Sequence, residues 1–303
     1  MNWLGLSLIA ATLWGSASVV DKIVVEKHLP SPVLCAFFMG AYGLVSAIVI
    51  GLTTPLHFDS PGAIFLGCLS GLLYLGYILL YFAALGHGDT VVVVALSQIA
   101  PLFAALWDYL ILGQVFGPLT YIGVIGVVVG AGLISLEHRQ AAIKSSPRFN
   151  KALQLMVLAC FVRSLSDLSL KYALTELHEW DAFFWPRLGL FAGAVVVVLV
   201  RLGPGHVATT IKRIGWQLNL LIMGNEAISL AATLANTLAY ARGPLTLVAA
   251  AGSVQPLLIL LLVTAVNAVK RSLVPEQTDW RLGVLRLPCL VLMITGAYLL
   301  GRG

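Results

Sequence analysis

Arg163, Asp167 and Lys171 follow one another at intervals of four inside an otherwise apolar run. That spacing lines the three charges along one helix face. They can pair among themselves, but three charges on one membrane helix more often face a cavity than lipid. Comparable stripes recur along the chain. Trp14, Ser18 and Asp21 share a face; so do Ser70, Tyr74, Tyr77 and Tyr81, and so do Gln98, Pro101, Ala105 and Asp108. Asn225, Glu226, Ser229, Thr233 and Asn236 run along one side of a later segment. An amide or carboxylate in hydrocarbon is costly unless it meets a partner or trapped water. Pro101 frees a backbone carbonyl that has the same need. Asp21-Lys22 has two readings of equal weight: an interfacial pair with Lys22 reaching the headgroups, or a lumen-facing pair.

The chemistry on offer is binding. Trp14, Tyr74, Tyr81, Gln98 and Asn236 suit the uncharged parts of a small molecule, whereas Arg163 and Lys171 suit a carboxylate or phosphate. The mixture fits an amino acid or similar zwitterion. Asp108, Asp167 and Glu226 are the candidate coupling carboxyl groups, since burial can raise a carboxyl group's pKa to where it takes up and releases a proton. All six histidines (His28, His57, His87, His138, His178 and His206) fall in connections, which argues against a histidine relay. Cys35, Cys68, Cys160 and Cys289 are scattered singly in apolar runs and read as core thiols rather than metal ligands or disulfides. The Gly-x-x-x-x-Gly-Lys-[Ser/Thr] nucleotide motif is absent. We therefore expect no cofactor, no metal and no catalytic set. One enzymatic alternative is an intramembrane aspartyl protease using Asp89 of Gly86-His-Gly-Asp89, with Asp21 or Asp108 as the second carboxylate. Its rival is a plain turn between helices.

The chain is 59% hydrophobic and 10% charged, with a mean hydropathy of +0.96. Soluble domains carry about 25% charged residues, so lipid must be the solvent for most of this surface. At ~20 apolar residues per crossing, ten segments are predicted: 3–22, 33–53, 62–85, 90–112, 118–136, 151–174, 182–201, 214–241, 244–268 and 282–301. Gly123, Gly126, Gly130 and Gly132 give the fifth the spacing of close helix packing. Met1-Asn-Trp-Leu lacks a basic n-region and cleavage site, so the first segment is expected to stay in the mature protein. The net charge of +5 lies in connections and suits anionic lipid headgroups. No basic stripe interleaved with aromatics points to nucleic acid. Oligomeric state is not encoded legibly.

One unit is used twice. Tyr81-Phe-Ala-Ala-Leu-Gly-His-Gly-Asp89 through Gln98 and Pro101 returns 155 positions later as Asn236-Thr-Leu-Ala-Tyr-Ala-Arg-Gly-Pro244 through Ser253 and Pro256. Ala84 falls on Ala239, Gly88 on Gly243 and Ala95 on Ala250. The fold class expected is an all-α membrane protein of ten transmembrane helices in two five-helix repeats, residues 1–140 and 150–303, forming one membrane domain. Five is odd, so the second copy must enter the bilayer inverted, as alternating access requires.

The sequence here resembles the EamA-type drug/metabolite transporters. The likeness rests on Trp14-Gly15, Ala83-Ala-Leu85, Leu96-Ser-Gln-Ile-Ala-Pro101, Leu110-Ile-Leu-Gly113 and the glycines from Gly123 to Gly132. It implies a ten-helix secondary carrier or exporter of small metabolites in the bacterial inner membrane. It also implies a central cavity lined by segments one, three, four, six, eight and nine. The sequence departs from the family pattern at Gln114, where a glutamate is usual, and at Arg163, where the sixth segment would repeat Trp-Gly. A flippase for a lipid-linked intermediate is the competing function. Of the 18 Lys and Arg residues, 13 fall in odd-numbered connections, which puts both termini outside the cytoplasm; the resemblance implies both inside.

Overall fold

The computed structural model describes residues 2–27, 31–87, 90–141, 147–255 and isolated positions between 258 and 299. In chain order the helices are α1 (Trp3–Lys27), α2 (Pro32–Thr53), α3 (Pro61–Leu85), α4 (Thr90–Ser97), α5 (Ala100–Leu110), α6 (Pro118–Ala141), α7 (Pro147–Ala173), α8 (Glu179–Arg201), α9 (Pro204–Arg242) and α10 (Leu245–Ala251), followed by a 3-10 turn at Gly252–Val254. No strand occurs among the described residues. Proline opens α2, α3, α6, α7 and α9. Its fixed φ suits a first turn, where its missing N–H costs nothing.

Among the described residues, six helices are long and apolar enough to cross a membrane: Trp3–Val25, Pro32–Thr53, Pro61–Leu85, Asn150–Ala173, Glu179–Arg201 and Gly215–Arg242. Large apolar side chains point outward from α2 (Val45, Ile48, Leu52), α6 (Leu119, Ile122, Val129) and α8 (Val196, Leu199, Val200). Those are the lipid-facing stripes.

Two expected spans are broken instead of continuous. The fourth divides into α4 and α5 at Gln98–Ile99, and the ninth passes from α-helix into a 3-10 turn after Ala251. Pro101 has no N–H for the Ser97 carbonyl, so the first break has a local cause. Pro256 holds the equivalent place in the second copy, outside the described residues. The tenth segment and the basic 270–281 connection also lie largely outside them, as does Asp89. The long α9 is really two helices, because Gly215 has φ 73° and ψ 164° in its middle. Only glycine takes that conformation without strain, and the eighth span starts there.

The main helix interfaces join the first half of the chain to the second. α1 packs on α9, α2 on α8, and α3 on both α7 and α8, while α5 meets α10. The halves are interleaved and do not stand side by side as two bundles. Glycine makes the α3–α8 crossing possible: a methyl group on Gly71 would lie 1.9 Å from the Pro186 carbonyl oxygen, and one on Gly189 2.0 Å from that of Cys68. At the mouth of this crossing, His57 Nδ1 lies 2.9 Å from Asp181 Oδ2, fastening the α2–α3 loop to the first turn of α8. None of the four cysteines is in a disulfide; Cys35, Cys160 and Cys289 are buried and Cys68 is half-buried.

Candidate functional site

The helix faces that carry the polar stripes converge on a cavity of ≈ 120 Å³. α1 contributes Trp14, Ser18 and Asp21; α3 contributes Tyr74, Tyr77 and Tyr81. Ser97, Gln98 and Pro101 come from the α4–α5 break, Cys160, Arg163 and Asp167 from α7, and Ser229, Asn236 and Tyr240 from α9.

Arg163 is the centre of the arrangement. Its Nε donates to both Asp167 oxygens, at 2.9 and 3.0 Å. The guanidinium carbon sits 5.1 Å from the Trp14 ring centre, 4.9 Å from that of Tyr74 and 5.3 Å from that of Tyr77. Each such contact is worth about 0.5–2 kcal/mol. The tyrosines form a ladder, with centroids 5.5 Å apart from Tyr74 to Tyr77 and 5.8 Å from Tyr77 to Tyr81. A planar cation is thus caged by aromatic faces at the cavity wall.

The helix break supplies the opposite wall. Its loose carbonyls are met by the thiol of Cys160, 3.5 Å from the oxygens of both Leu96 and Ser97. Gln98 Nε2 donates to the Val94 carbonyl at 3.1 Å, which leaves its amide oxygen for the cavity. On the α1 side, Gln255 Nε2 donates to Ser18 Oγ at 3.3 Å. Polar backbone inside a membrane domain is tolerable where protein and a wet cavity satisfy it.

Of the expected binding residues, Trp14, Tyr74, Tyr81, Gln98, Arg163 and Asn236 line this cavity, and Asp167 does so from the expected coupling set. Lys171 does not. Its ammonium donates to the Tyr240 carbonyl at 2.6 Å and the Gly243 carbonyl at 2.8 Å. The last carbonyls of a helix have no intrahelical donor, and a cation suits that end of α9. Lys22 does the same for α3, donating to the Leu85 carbonyl at 2.8 Å; it is buried, so the headgroup reading of Lys22 is corrected. Asp108 is fully buried and accepts from the Thr246 backbone N–H at 2.7 Å and from its hydroxyl. It serves the N-terminus of α10 and lies outside the cavity. Glu226 faces a smaller void of ≈ 20 Å³ with Asp21 and Asn225, whose amide donates to Asp21 at 2.7 Å.

Replacing Lys171 with methionine is therefore expected to cost about 1.5–3 kcal/mol of stability and to leave ligand affinity of the folded fraction unchanged. Thermal unfolding beside equilibrium binding checks this; a weakened ligand with an unchanged Tm would return Lys171 to the site.

Sequence reasoning passed over Tyr240, Gln255 and Cys160 as site residues. Tyr240 was within reach, since it follows Asn236 by four. Cys160 was not, because its role depends on a helix break in another element.

With this geometry in place, the chain can be set beside known proteins. Residues 1–136 match the EamA-like transporter family. That family belongs to the drug/metabolite transporter superfamily. The first 136 residues are thus similar to a transporter family, and the six apolar spans among the described residues suit a multi-pass membrane protein. A crystal structure, described only as that of a protein, superposes with a TM-score of 0.66 at 16% identity, covering 98% of this chain and 94% of its own. At that identity the likeness speaks for the fold alone. No curated protein matches.

Proposed function

We propose that this EamA-like protein is a secondary active transporter, an exporter or exchanger, of a small polar metabolite such as an amino acid. Residues 1–140 and 150–303 are the two inverted halves, and transport proceeds by alternating access around the central cavity. The observation that carries the reading is the caged Arg163–Asp167 pair. It sits in the middle of apolar helices, with aromatic and amide groups around it, and both its members line the cavity. A carboxylate meets the Arg163 guanidinium, while Gln98, Asn236 and the tyrosine ladder hold the rest of the molecule.

Three correspondences support the duplicated architecture. α4 and α10 stop at Ser97 and Ala251, within one residue of the repeat spacing. Lys22 and Lys171 each bind the end of the third helix of their half, at Leu85 and Tyr240, which are 155 apart. Trp14 and Arg163, which hold matching places in the first helix of each half, meet face to face. Asp167 and Glu226 remain the coupling carboxyl groups, with Asp108 set aside as a helix cap.

The test uses reconstituted vesicles and a panel of labelled amino acids and nucleosides, with and without a pH gradient. Saturable flux of at least one zwitterionic amino acid is expected, changed by the gradient. Flux of none, with scrambling of a labelled lipid-linked probe, would favour the flippase.

A further inference from the structure

Beside the main cavity, past the Arg163–Asp167 pair, lies a second chamber of ≈ 30 Å³ between α3, α7, α8 and α9. It shares Tyr74, Arg163, Asp167 and Asn236 with the main cavity and adds Arg187. Arg187 is only 6% exposed. Its guanidinium carbon lies 4.8 Å from the Phe183 ring centre, and its Nε has no hydrogen-bond partner. A buried cation with an unmet donor is costly, so the chamber is built for something that accepts.

The hydroxyls of Ser70, Ser166, Thr233 and Thr237 and the Asp167 carboxylate are already committed. Thr233 donates to the Ser229 carbonyl at 2.8 Å and Thr237 to the Thr233 carbonyl at 3.0 Å. Ser166 donates to the Ser70 carbonyl at 2.8 Å and shares a 3.2 Å contact with the Ser70 hydroxyl. Both Asp167 oxygens are held by Arg163. Glu226 attracts Arg187 through space but faces a different void, and the two form no ion pair among the described residues. What is left over is N–H from two guanidinium groups, with the Tyr74 hydroxyl and the Asn236 amide beside them.

We infer that this chamber binds a small monoanionic group through Arg187, either the carboxylate of the cargo or a free anion of similar size such as chloride. Size sets the limit: a void of about 10–15 Å³ admits one water, so this one takes a carboxylate head or a single chloride. The site goes beyond the transport reading, because anion binding at Arg187 can be measured without any cargo.

Thermal unfolding of the detergent-purified full chain is followed while acetate or chloride replaces isethionate at constant ionic strength. A saturable rise in Tm is expected in the wild type, since a ligand of the folded state stabilises it by mass action. Arg187→Gln should weaken the apparent affinity at least about tenfold, with Arg187→Lys falling between. A response to acetate alone that competes with amino-acid flux identifies the cargo carboxylate; equal responses to acetate and chloride identify a free anion. No saturable response in the wild type, which needs no variant to fold, overturns the inference, as does one that survives Arg187→Gln. Amino-acid flux measured on the same preparation would leave the transport reading standing in that case.

Discussion

Arg163→Met is expected to abolish transport and to destabilise the protein together. The substitution leaves Asp167 buried without its counter-ion, and breaking a buried pair from one side costs about 3–5 kcal/mol. It also empties a cage made by Trp14, Tyr74 and Tyr77. The two effects separate in the double variant Arg163→Met with Asp167→Leu. Replacing both members of a buried pair with apolar groups is often neutral, so its Tm should return toward that of the wild type. Transport should not return, because the cavity has lost the charged pair at its centre. Asp167→Asn is the milder probe: the amide oxygen still accepts from Nε, and ligand affinity and its pH dependence should both shift. Wild-type flux in the double variant would remove the pair from the site.

Gly71→Ala is expected to cost at least about 3 kcal/mol, the upper end for overpacking, and to lower the yield of folded protein. The added methyl group would stand 1.9 Å from the Pro186 oxygen, 2.7 Å from its carbon and 2.8 Å from the Leu190 nitrogen. All three are backbone atoms, so no side chain can rotate away, and α3 and α8 must part. Parting them also moves Arg187, the residue after Pro186, and opens the second chamber. Gly62→Ala on the same helix is the control, since nothing lies within 4 Å of its added methyl group. Equal Tm values for the two variants would show that α3 and α8 are not held this closely.

The amino-acid order alone determined a good deal. Hydropathy is a local property, so the lipid solvent and the helical class followed from it. So did the starts at Pro32, Pro61 and near Gly215. Helical spacing is local too. It put Trp14, Tyr74, Gln98, Arg163 and Asn236 on polar faces before any neighbour was known. What spacing cannot give is the rotation of one helix against the next. Lys171 shares a face with Arg163 and Asp167, yet it lies two turns along α7 from Arg163, level with the end of α9, where unmet carbonyls claim it. Asp108 shares a face with Gln98, but the helix break between them sends it to α10. Arg187 gave no periodic signal at all, because a single charge in an apolar run looks the same facing lipid headgroups or a chamber. Its burial was decided by the glycine contact between α3 and α8, where atoms far apart in the chain occupy adjoining space.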